Sequence, residues 1–137
     1  MDKQDGCAEP LSCVLACEFE DAVQLVKAAL KLQGFGILSE IDVQKTLDEK
    51  IGHKIPPYLI LGACNPHLAS RAIAAEPKIG LFLPCNVLIA ARDADVEITM
   101  QDPGMMVPIT GNENLEPIAI EARSKLAAAI AELVSKG

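Results

Sequence analysis

Residues 58–91 read YLILGACNPHLASRAIAAEPKIGLFLPCNVLIAA, and this stretch decides the fold. YLILGAC, residues 58–64, is apolar at successive positions, the pattern of a strand buried on both faces. Asn65 then has the side chain of a helix N-cap and Pro66 suits the first helical position, so a helix is expected from 66 to about 75, ended by Pro77. Residues 79–91 are again apolar on both faces, and Pro84 within them implies an edge position or a bulge in one long strand. Two such strands flanking a helix make a mixed α and β layer structure.

The flanking sequence extends the same pattern. Residues 11–17 read as a strand with Cys13, Leu15 and Cys17 on one face, where the cysteines act as small buried hydrophobes. Ala22, Leu25, Val26, Ala29 and Leu30 repeat at helical spacing through residues 19–33, with Gly34 as the stop. A strand follows over 35–41, and Asp42 can cap a short helix, VQKTLDEKI, that Gly52 ends. VEITM, residues 96–100, alternates as a half-exposed strand, residues 101–114 have no period and read as a long loop, and from about Leu115 an apolar stripe runs in a helix to the end. The expectation is a two-layer α/β domain with two main helices on a sheet of about five strands. It spans residues 1–137 as one domain, with 1–10 a frayed lead-in. Both long helices on one face would leave the two-faced apolar strands uncovered on the other, so a homodimer is expected.

Composition excludes several functions. The 137 residues carry 19 acidic and 12 basic side chains, a net charge of -7, which leaves no basic patch. One Tyr and three Phe with no Trp leave no stacking platform, so nucleic-acid binding is not expected. No apolar run reaches the ~20 residues of a membrane span, and the polar start lacks the features of an export signal, so a cytoplasmic protein is expected. Five cysteines without C-x-x-C argue for reduced thiols rather than a disulfide framework or a structural zinc site. Phosphate-binding glycine loops, zinc-protease motifs and nucleophile elbows are absent from the sequence.

The candidate site lies in A-C-N-P-H, residues 63–67, and P-C-N, residues 84–86. Cys64 precedes a helix start, where free N–H groups and the helix dipole favour a thiolate. Whether Cys85 joins it depends on strand direction. If strand 79–91 ran parallel to 58–64, Cys85 would stand about 20 Å up its strand, level with Cys64; antiparallel, it would lie about 20 Å below. Cys64, Cys85, His67 and the Met105-Met106 loop, if convergent, offer ligands that suit copper(I) or zinc, although the sequence requires no cofactor. Asn65 and Asn86 complete the cluster, while Glu40 and Asp42 share one face of their strand end and are further ligand-binding candidates. Either carboxylate also suits a solvated strand end or helix cap, and His67 suits an exposed first turn.

The blocks G-F-G-I-L (34–38), E-I-D (40–42), I-L-G-A-C-N-P (60–66), G-L-F-L-P-C (80–85) and D-P (102–103) resemble the family catalogued as domain of unknown function 302, in order and spacing, from about Val14 to Leu133. The resemblance implies an α/β domain of the α+β type, a TATA-binding-protein-like two-layer sandwich with a curved, mainly antiparallel sheet of about five strands and two main helices, and a dimer. Cys64, Asn65, Pro66, Pro84 and Cys85 match its pattern, whereas Cys7, Cys13, Cys17 and His67 do not. Three functions are consistent with these residues: a dimeric ligand-binding or thiol-sensing module with a site at Cys64 and Cys85, a sulfur- or persulfide-transfer enzyme with Cys64 as nucleophile and Cys85 resolving, or an interaction protein in which the cysteines only pack. For the first, the ligand would be a small anion, a thiol adduct or a soft metal.

Overall fold

A computed structural model describes residues 11–136; the lead-in 1–10, with Cys7, lies outside them. Five antiparallel strands, β1 (Ser12–Leu15), β2 (Gly36–Asp42), β3 (Tyr58–Cys64), β4 (Cys85–Ala91) and β5 (Val96–Met100), form one sheet in the order β1-β5-β4-β3-β2. The helices are α1 (Phe19–Leu32), α2 (Val43–Ile51), α3 (Pro66–Ala75), α4 (Met106–Thr110) and α5 (Glu116–Lys136). The α+β class and the antiparallel sheet agree with the sequence reading.

Alternation sorts the sheet into two unlike faces. Leu15, Leu61, Val87, Ile89, Val96 and Ile98 point to one face and are buried, together with Val26, Leu30, Leu126 and Leu133 of α1 and α5. On the opposite face stand Val14, Ile41, Tyr58, Ile60 and Leu88, none of them buried, with Val14 47% and Ile41 50% exposed. Cys13 is half-buried against the core, as expected of a small hydrophobe. Cys17 also packs there, although β1 stops at Leu15, so the expected strand to 17 is too long.

Local chemistry sets several boundaries. Asp42 accepts a hydrogen bond from Lys45 N–H at 2.9 Å and opens α2, and Gly52 closes it in the left-handed region. Gly34 ends α1 at φ +84°. Ser39 pairs with Gly62 and Ile37 with Ala63, so Leu38 is an extra residue in β2 and bulges outward, 67% exposed.

Two further expectations are corrected. Residues 79–91 are not one bulged strand: Pro77–Phe82 form a 3-10 helix, Leu83-Pro84 is a cis peptide, and β4 begins only at Cys85. A continuous apolar run is compatible with either conformation, and Pro77 at the first 3-10 position, with Glu76 accepting from Lys78 N–H, starts a helical turn instead. Residues 101–114 are likewise not a plain loop. Asp102 accepts from Gly104 N–H at 2.8 Å and starts a 3-10 turn that runs into α4, and α4 presents half-buried Met106 and Val107 to the core.

Candidate functional site

The ends of β3 and β4 meet beneath α3 around a cavity of about 80 Å³. Cys64 and Cys85 both line it, with Asn65, Met105 and Met106; Ile118, Ala122 and Leu126 of α5 form its base. Neither spacing foreseen from the sequence applies. The strands are antiparallel, yet because β4 starts at Cys85, that residue pairs with Ala63 and stands beside the end of β3.

Asn65 is 8% exposed, and it ties the site together. Its Oδ1 accepts from Leu68 N–H at 3.2 Å, capping α3, and its Nδ2 donates to Gln33 O at 3.4 Å, holding α3 to the turn that ends α1. A Cβ on Gly34 would stand 3.0 Å from that Nδ2, so the turn needs both the positive φ and the missing side chain. Gly62 plays the same part for the other wall. A Cβ there would overlap Ser39 Oγ and lie 2.7 Å from Pro84 Cγ, so only glycine lets Pro84 close over β3 and deliver Cys85 to the cavity.

The polar groups of the cavity are engaged with one another. Gln101 Oε1 accepts from Asn86 N–H at 3.0 Å, and Gln101 O accepts from the Cys85 thiol at 3.5 Å. Asp102 Oδ2 accepts from Arg123 Nε at 3.1 Å, pinning the segment before α4 to α5. Burial, followed by the negative charge of Asp102, pushes the Cys85 thiol up to about 11. At neutral pH it is therefore a neutral S–H and a poor nucleophile. Burial also raises Cys13, and burial with the Asp21 and Glu18 carboxylates raises Cys17.

The other sequence candidates lie elsewhere. His67 is exposed on the first turn of α3 and is not part of the cavity lining. Asn86 is exposed too and contributes backbone atoms alone to the Gln101 pairing. Glu40 and Asp42 do share one face, but they line a second cavity of about 350 Å³ between α1 and the β2–β3 end. There Glu40 pairs with Lys27 at 2.7 Å and Asp42 caps α2. Among the described residues, no group of three or more His, Cys, Asp or Glu side chains is arranged to hold a metal ion.

The model of the family described as Domain of unknown function DUF302 matches residues 12–133. The chain belongs to the DUF302 family. A crystal structure of an uncharacterized conserved DUF302 protein from Bacillus stearothermophilus is similar to it at 28% identity and a TM-score of 0.82, over 88% of this chain and 94% of that one. No curated protein matches. Within the described residues no helix is long and apolar enough to cross a membrane.

Two DUF302 blocks carry more than their spacing suggested. Asp102-Pro103 repeats the grammar of Asn65-Pro66, a capping side chain followed by proline, and so sets the second wall of the cavity as Asn65 sets the first. That signal was present in the sequence. Arg123 gave none, because its partner Asp102 lies 21 residues away and nothing local marks the pairing.

Proposed function

We propose that this DUF302 chain is a homodimeric ligand-binding module whose site is the cavity lined by Cys64 and Cys85. The observation that carries the reading is the convergence of both cysteines, Asn65 and the Met105-Met106 pair on one cavity. Binding is favoured over thiol transfer because a resolving cysteine must attack as a thiolate, and Cys85 is held as a thiol at neutral pH. The sheet face left open among the described residues supports the dimer. Val14, Ile41, Ile60 and Leu88 stand there beside the carboxylate of Glu97, which Arg92 approaches to 3.8 Å. On a chain of net charge -7, a face with so little unbalanced charge is where a second copy meets the least repulsion.

Native mass spectrometry of the purified protein tests both parts. The expected species is a dimer carrying a non-covalent mass that is released on denaturation. Filling the cavity with Ala72→Leu, or with Ala69→Leu at the more exposed neighbouring position, should remove the added mass and keep the dimer. A monomer would contradict the pairing. Bare protein, or an added mass that survives both substitutions, would contradict the site.

A further inference from the structure

The groups that surround the cavity define what it can hold. Among the described residues no Lys, Arg or His lines it, and the one carboxylate in the lining is Asp102. Both oxygens of that carboxylate are engaged, Oδ2 by Arg123 Nε and Oδ1 by Gly104 N–H. An anion would enter without a lining cation and face Asp102. A cation would have to shed its hydration among Phe82, Leu83, Met106 and Leu126 and take Asp102 away from Arg123. Ordinary polar ligands fare little better, since Gln101 Oε1, Asn65 Oδ1 and the Cys85 thiol already have partners.

Size narrows the class further. The cavity measures about 80 Å³, roughly half the ~150 Å³ of an apolar cavity that accepts benzene. The walls do not enclose a whole molecule of that size, whereas a narrow unbranched chain can enter end-on and continue out through the mouth. Met105 and Ile109 line the cavity and are each 52% exposed, so apolar surface continues from the interior to the outside. Methionine suits this place because its flexible thioether adapts to the chain it touches.

We infer that the cavity takes an uncharged aliphatic chain, or the aliphatic end of a longer molecule, with any polar head left at the mouth. The inference rests on the cavity being the binding site. In this role Cys64 and Cys85 are soft wall rather than reacting groups.

Three probes with the same four-carbon chain and different heads test the class: 1-butanol, butyrate and butylammonium, titrated at pH 7 and followed by amide chemical shifts. The expected result is saturable shifts at Cys64, Leu68, Ala69 and Met106 with 1-butanol, at a dissociation constant at least tenfold below either ion. Those shifts should be lost in Ala69→Leu and in Ala72→Leu, whichever of the two keeps the parent spectrum elsewhere. If butyrate or butylammonium binds these residues as tightly as the alcohol, the cavity binds ligands but the inferred class is overturned. If no probe gives saturable shifts there, the inference and the binding site fall together. Shifts that persist in the filled variants place the alcohol elsewhere and overturn the inference.

Discussion

Gly62→Val should lower the stability of this protein by about 3 kcal/mol, the upper end of what overpacking costs. The position lies inside β3, hydrogen-bonded on both sides, where valine would otherwise be welcome. Steric conflict outweighs that propensity. The new Cβ meets Ser39 Oγ and comes within 2.7 Å of Pro84 Cγ; the serine hydroxyl can rotate aside, but the proline ring cannot. The Leu83-Pro84 segment then has to lift, and Cys85 leaves its cavity with it. For a chain of this length the loss corresponds to roughly 10 °C in Tm. Ser39→Gly should recover only part of it, because Pro84 remains. Gly36→Val is the control: among the described residues nothing lies within 4 Å of a Cβ there, and the same valine in β2 should be neutral or mildly stabilising. Equal losses at both positions, read by urea denaturation, would show that strand glycine as such, rather than the close approach of Pro84, governs stability.

Asn65→Ala should cost about 2 kcal/mol, more than a surface cap alone. Loss of an N-cap side chain is worth ~1 kcal/mol, and a second hydrogen bond, to Gln33 O, goes with it at a further ~1 kcal/mol. Asn65→Ser separates the two contributions, since a hydroxyl can cap Leu68 N–H but does not reach Gln33 O. We expect it to lose about half as much. If serine is as damaging as alanine in equilibrium denaturation, the cap contributes nothing and the tie between α1 and α3 carries the whole effect.

The sequence disclosed those parts of the fold whose signals are local. Asp42 with Gly52, and Asn65 with Pro66, fixed α2 and α3 to the residue, because a capping side chain and a helix stop act on their own few neighbours. The alternation in 96–100 placed Val96, Ile98 and Met100 on the buried face of β5 for the same reason. Residues 79–91 misled because an unbroken apolar run has no period to read, so a 3-10 turn followed by a strand is indistinguishable from one long strand.

The candidate site followed the same division. Cys64, Asn65, Cys85, Met105 and Met106 do converge, although a strand beginning at Ile79 would hold Cys85 about 20 Å from Cys64 in antiparallel pairing. Starting β4 at Cys85 makes antiparallel pairing bring them together. Glu40 and Asp42 were correctly placed on one face, yet nothing near them in sequence reveals that Lys27 and the α2 N-terminus already occupy them. His67 and Asn86 are adjacent to Asn65 and Cys85 in the chain, but both are exposed and neither lines the cavity, because neighbours in a chain need not share one. Arg123, which holds Asp102 at the cavity wall, belongs to the long-range contacts that no local pattern encodes.

The choice between a binding cavity and thiol chemistry turns on the ionisation of Cys85, and its rate of alkylation by iodoacetamide against pH measures that directly. Peptide mass spectrometry can follow this one thiol in the folded chain, with Cys64→Ser run alongside. A thiol pushed up to about 11 is ionised in about one molecule in a thousand at pH 8, against about one in ten for an ordinary thiol near 9, so alkylation should be roughly 100-fold slower. We expect the rate to climb about tenfold per pH unit with no plateau below about pH 11. A plateau reached near neutral pH would mean a resident thiolate, contradict the cavity-wall role of Cys85 and return the protein to sulfur transfer.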